Sequence, residues 1–235
     1  MNKAKDTVLI IPDTQIPFDH PDAIPFLKTV RAKYKPTRVV QIGDFFDLHA
    51  LSKYPSNPDG YSPGHEIEVA LERASEYYSL FPKVDLVLGN HDLRVTKRAF
   101  EVGIPAHFLK TFSEWMQLPK GWKVHDLFLE IDGVAYQHGI GYSGKEGHRK
   151  AAERNMQSTV IGHLHAHAGI SFMANREKLF FAFNVGALID DHAYAFEYAK
   201  YNSSKSIIGC GVVDKGIPMF VPMSLNKQSR WVGKL

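Results

Sequence analysis

Short apolar runs recur along the chain at 8–11, 39–42, 84–88, 134–137, 159–161 and 179–183. Each is strand-length and rich in β-branched or aromatic residues, so each predicts a β-strand. Between them, 22–35 places Ile24, Leu27, Val30 and Tyr34 at helical spacing, and 66–80 does the same with Ile67, Ala70, Leu71, Ala74 and Tyr78. Those stripes predict two helices that face a core. Strand and helix in alternation predict an α/β sandwich whose strands lie largely buried between helical layers. The stretch 51–64, rich in Pro, Ser, Asn and Gly, reads as a loop inserted near the active face, and 207–221 could add edge strands. The Phe-rich stretch 172–183 and Trp115 read as core.

Composition adds limits to this picture. With 235 residues, 44% of them hydrophobic and 23% charged, the chain can bury a substantial core, and with no repeat or low-complexity tract it reads as one domain over 1–235. The single cysteine, Cys210, has no partner for an intramolecular disulfide or a CxxC metal site, which points to a reducing, cytoplasmic home. The apolar run before Pro12 is too short for a signal-peptide core or a membrane span. A net charge of +3 and a pI near 8.8, with scattered Lys and Arg, permit a nucleic-acid partner without arguing for one. Oligomeric state stays open.

What ends the strands is the chemical signal. The first five runs lead into Asp13, Gly43-Asp44, Gly89-Asn90-His91-Asp92, His138-Gly139 and Gly162-His163-Leu164-His165. Ligands of α/β sheets gather outside the carboxyl ends of strands, so residues spread over more than 150 positions can converge on one crevice. Carboxylates, an amide oxygen and imidazoles make a mixed oxygen and nitrogen shell suited to Mn, Fe, Co, Ni or Zn. So many donors, with one carboxylate able to bridge, fit two ions about 3.5–4 Å apart, an arrangement suited to in-line attack on phosphorus. Taken singly, Asp13, Asp44 and His138 are ordinary turn residues; their ordered co-occurrence with GNHD and GHLH is what carries weight.

These motifs resemble those of the calcineurin-like metallophosphoesterase superfamily, with Asp13-Thr14-Gln15 for D-x-H, Gly43 to Asp47 for GDxxD, Gly89 to Asp92 for GNH[ED], a strand-end His138, and Gly162 to His165 for GHxH. The resemblance covers roughly residues 7–190. More loosely, "GDFFDLHALSKYP" and "NVGALID" are similar to small stand-alone phosphoesterases often encoded by bacteriophages and prophages. The resemblance implies a four-layer α/β/β/α sandwich with two mixed β-sheets. It implies a first metal held by Asp13, Gln15, Asp44 and His165, and a second held by Asp44, Asn90, His138 and His163, with manganese the first expectation. It also implies His91 as general acid, Asp47 as the group that orients its ring, and Asp92 as a structural hydrogen-bonder. The nucleophile would be a hydroxide held between the metals.

Gln15 departs from the pattern, since an amide oxygen is a poorer ligand than imidazole. It either completes the first site or faces solvent while water fills the shell. For substrate contacts, His148 and Arg149 in the loop 141–150 could clamp a phosphate, His49 and His65 flank the 51–64 insertion, and Tyr54, Tyr61 and Tyr142 could stack on bases. His20, His107, His125, His167 and His192 read as surface or supporting residues. The expected activity is hydrolysis of phosphate monoesters or diesters, with a nuclease or nucleic-acid end-processing enzyme as the alternative and a non-catalytic scaffold as the third reading.

Overall fold

The computed structural model describes residues 4–53, 57, 59–193 and 205–235. Its strands are β1 (Thr7–Ile11), β2 (Arg38–Gln41), β3 (Val84–Val87), β4 (Trp122–His125), β5 (Phe128–Ile131), β6 (Val134–Gln137), β7 (Ser158–Ile161), β8 (Ala168–Ala174), β9 (Leu179–Val185), β10 (Gly209–Asp214) and β11 (Ile217–Pro222). Its α-helices are α1 (Ala23–Tyr34), α2 (Pro63–Leu80), α3 (Arg94–Glu101), α4 (Phe112–Trp115) and α5 (Gly147–Asn155). All six apolar runs and both amphipathic segments are present as strands and helices, and 207–221 supplies β10 and β11. The pattern did not disclose β4, β5 and β8. The first two are four residues long with mixed burial, and β8 is half-exposed, so none carries a clean alternation.

Two mixed sheets form. The first runs β11-β10-β1-β2-β3-β4, parallel from β1 to β4 and antiparallel at β10 and β11. The second runs β5-β6-β7-β9-β8, parallel through β6, β7 and β9 with antiparallel edges. The two-residue period of a strand decides which core each β1 residue joins. Val8 and Ile10 face the second sheet, packing in one cluster with Tyr136, Val160, Phe183 and Val185. Leu9 and Ile11 face the other way, with Phe26, Leu27 and Val30 of α1 and Ala70, Ala74 and Tyr77 of α2. Helix α5 covers the far side of the second sheet against β7 and β9, with Ala151 and Ala152 fully buried. Four layers result, α/β/β/α.

Helix α2 begins at a Ser62 N-cap followed by Pro63, the preferred order for a helix start. It therefore starts three residues earlier than the stripe implied, inside the stretch read as a loop. Its Arg73 forks onto both carboxylate oxygens of Asp19 (2.7–3.0 Å), and Tyr77 adds an O–H donor at 2.7 Å. Burial pushes the Asp19 pKa up, against the pull of Arg73. Two other expectations change. His20 is a buried residue whose Nε2 lies 2.9 Å from the Ser229 carbonyl. In 172–183, Phe181 and Phe183 are core, but Phe172 points to solvent because it sits on edge strand β8. Trp115 is half-buried beside the α1/α2 core.

Candidate metal centre

The turns that follow β1, β2, β3, β6 and β7 are stitched together by their own backbones. Gln15 N–H donates to the Asp44 carbonyl (2.9 Å), Ile16 N–H to Phe45 (3.0 Å), and Gly162 N–H to His138 (3.0 Å). Side chains add further ties: Asp44 Oδ1 accepts from His91 N–H (2.8 Å) and Asp13 from His163 N–H (3.0 Å). Asp92, expected as a structural residue, accepts from Gly89 N–H (2.9 Å) and Phe46 N–H (3.1 Å), joining the GNHD and GDFFD turns. Burial first, and then the neighbouring Asp44 carboxylate, raise its pKa to about 7. Two glycines are needed for clearance. A Cβ on Gly89 would lie 2.1 Å from Asp44 Oδ1, and one on Gly162 would lie 2.3 Å from Asp13 Oδ1.

The donors gather in two adjoining groups. Asp44, His138 and His163 offer ligand atoms all within 4.8 Å of one another. Asp44 Oδ2 and Asn90 Oδ1 each lie 3.1 Å from His138 Nε2, and His138 Nδ1 donates to the Ile42 carbonyl (3.0 Å), which turns Nε2 inward. Beside them, His165 Nε2 lies 2.9 Å from Asp13 Oδ2 and 3.4 Å from Gln15 Nε2. Gln15 does not face solvent. It is 2% exposed, and its Oε1 is buried without a hydrogen-bond partner. A buried amide beside an imidazole, with its oxygen orphaned, fits a cation that would take that oxygen as a ligand.

The electrostatics favour positive charge here. Burial alone would raise the Asp44 pKa, but His138 and His91 hold it below the usual carboxylate range. Burial would lower His138, and the Asp44 and Asp13 carboxylates outweigh it and raise it. Burial and the field of His138 lower His163.

At the rim, His91 Nδ1 donates to Asp47 Oδ1 at 2.6 Å, so its Nε2 faces outward, 3.7 Å from Asp44 Oδ2. Burial works against the imidazolium, and Asp44 with Asp47 outweighs it, raising the His91 pKa. Arg94 is the residue that sequence reasoning missed. It donates to the Asp47 carbonyl (2.7 Å) and sets its other terminal nitrogen 3.1 Å from His91 Nε2. Its signal is its place three residues beyond His91, where the chain enters α3.

The secondary substrate contacts fare differently. His49 lies near the rim, its Nδ1 3.8 Å from Asp47 Oδ2, and burial lowers its pKa. His148 is in α5, not in a loop, and its Nε2 lies 3.1 Å from Ser171 Oγ of β8, while Arg149 pairs with Glu146 one turn away. The helix faces these two side chains toward β8 and solvent, so they are not gathered with the metal donors. Tyr61 stacks on Phe18 at 6.2 Å, the Arg154 guanidinium sits over Tyr142, and Tyr54 lies outside the described residues. No helix among the described residues is long and apolar enough to cross a membrane.

A family model described as calcineurin-like phosphoesterase matches residues 7–185. No curated protein matches. Similar solved structures include vacuolar protein sorting 29 from Cryptosporidium parvum, with 14% identity, TM-score 0.45, and coverage of 89% of this chain and 85% of that one. They also include the phosphoesterase Yfce from E. coli (15%, 0.41, 88% of each chain) and nuclease MPE from Pseudomonas putida (12%, 0.38, 90% and 86%).

Proposed function

Because the chain belongs to the calcineurin-like phosphoesterase family, we propose that it hydrolyses phosphate esters with two divalent ions held at the β1, β2, β3, β6 and β7 turns. Asp13, Gln15, Asp44 and His165 would hold one ion, and Asp44, Asn90, His138 and His163 the other, with Asp44 shared. Manganese is the first choice, and iron, cobalt, nickel or zinc suits the same donors. When bound, such ions supply Lewis-acid activation of water and neutralise phosphate charge.

The protein's own groups have separate tasks. Water adds across one P–O bond: its oxygen joins phosphorus, the ester oxygen leaves, one water proton is released, and the leaving oxygen is protonated. His91 provides that proton from Nε2, because Asp47 holds Nδ1 and fixes the ring. Asp92 and the backbone amides of Gly89 and His91 keep the GNHD turn in register with Asp44. Arg94 holds the Asp47 backbone and offers a cation beside the leaving group.

The observation that carries this reading is convergence. Asp13 and His165, 152 residues apart, lie 2.9 Å from each other, beside the buried Gln15 amide, whose oxygen lacks a partner. A manganese-supplemented assay on a monoester and a diester tests it, with wild type beside Asp44→Asn and His91→Ala. Turnover by wild type and its loss in both variants, with circular dichroism unchanged, is the expected result. Retained turnover in Asp44→Asn would sink the assignment, and wild type with neither bound metal nor turnover would leave a scaffold.

A further inference from the structure

Two clefts meet at this site. Asn90 lines one and His138 the other, and the two side chains are in contact at 3.1 Å. The first cleft, about 680 Å³, runs between α3 and residues 51–53. Arg94, Lys97, Arg98 and Glu101 recur along one face of α3 at helical spacing. Arg98 is occupied: it pairs with Glu101 and donates to the Leu51 and Ser52 carbonyls, which fixes the opposite wall. Lys97 is exposed and makes no ion pair or side-chain hydrogen bond among the described residues. Phe100, lining the same cleft, is 82% exposed. The second cleft, about 210 Å³, is of mixed character, bounded by Leu127, Phe128, Ile140 and Tyr142 together with Asp126, Gln137 and His138.

A phosphate centre between two clefts suits an ester with two substituents, whereas a monoester would leave one cleft empty. Building on the phosphoesterase reading above, we propose that the substrate is a phosphodiester bond within single-stranded nucleic acid. The strand on the leaving side follows α3, with its next phosphate on Lys97 and an unpaired base on Phe100. The nucleoside on the other side sits in the smaller cleft. Arg94 sets this direction, because it lies in the α3 cleft and beside His91 Nε2, the atom that protonates the leaving oxygen. The P–O bond that breaks is the one toward α3. A hydroxyl is released on the α3 fragment, and the phosphate stays on the fragment in the smaller cleft. An exposed ring beside a cation is the pairing that binds single strands, since stacking tolerates any base while the cation follows the backbone.

The test measures binding of a fluorescein-labelled single-stranded oligothymidylate by anisotropy, with EDTA present and salt varied, for wild type, Lys97→Gln and Phe100→Ser. Lys97→Gln is expected to weaken binding roughly three- to tenfold and to reduce the slope of log K against log salt by about 0.7. Phe100→Ser is expected to weaken it roughly tenfold with the slope unchanged. With manganese, the ratio of kcat/KM on the oligonucleotide to that on bis-p-nitrophenyl phosphate should fall in both variants. If both variants bind like wild type, or if duplex binds as tightly as single strand, the substrate assignment is overturned while turnover of the small diester still upholds the phosphoesterase reading. If wild type turns over no ester at all, that reading falls and takes this proposal with it.

Discussion

Gln15, Asp44 and His163 hold φ of 48°, 49° and 68°, the left-handed region that side chains with a Cβ usually avoid. Each costs roughly 1–3 kcal/mol, and such strain collects where a structure must aim side chains at one point. Gly89 meets the same demand through missing bulk. Gly89→Ala is expected to lose bound divalent metal, measured by elemental analysis of the purified protein, while circular dichroism is unchanged; full metal occupancy would refute the clearance argument. Asp47→Asn should lower kcat roughly ten- to a hundredfold with little change in KM, because a neutral amide no longer stabilises the His91 imidazolium that donates the proton. An unchanged kcat would mean that His91 needs no such partner. At this scale the sequence discloses what is chemically distinctive: carboxylates and imidazoles beside glycine at strand ends. Arg94 escaped notice because its place three residues beyond His91 gains meaning only when the contact with His91 and Asp47 is seen.

At the scale of elements, α2 does more than cover the first sheet. Its Arg73 neutralises Asp19, a carboxylate 1% exposed, in the segment that leads from β1 to α1. Removing one member of a buried pair leaves an uncompensated charge, so Arg73→Ala should cost roughly 3–5 kcal/mol in urea unfolding at neutral pH. The deficit should shrink on acidification. The Asp19 pKa is already raised by burial, so its destabilising charge is present above the folded pKa and disappears as pH falls through it. A loss of under about 1 kcal/mol would mean that water reaches the carboxylate. The buried strands and the two amphipathic helices were legible because a strand covered on both faces reads as a continuous apolar run and a half-buried helix keeps its period of 3.6. The edge strands β4 and β5, of mixed burial, were not, because pairing with a neighbour creates them more than their own pattern does.

Across the whole molecule, the chain's far end returns to the start of α1. Arg230 forks onto Asp22 and Trp231 N–H donates to it at 2.9 Å, contacts spanning more than 200 positions. The Arg230 hydrogen bond is the main reason the Asp22 pKa is held down to about 2. A depressed carboxylate pKa stabilises the fold above the unfolded value near 4 and stops doing so as pH falls through about 2. Asp22→Asn should therefore lower Tm at pH 7, by a modest amount because Arg230 is largely exposed, and the gap to wild type should close between about pH 4 and pH 2. An equal gap at both ends would show that the contact is not electrostatic. By itself the sequence determined the alternation of strands and helices and which carboxylates and imidazoles stand at the strand ends, because hydrophobic pattern and side-chain chemistry belong to the residues. Only the tertiary structure decided that Gln15 is buried beside His165, that Arg94 reaches His91, and that two clefts meet at Asn90 and His138. Those facts depend on how two sheets stack and which strand ends they bring together, and no local pattern encodes a distance between turns 150 residues apart.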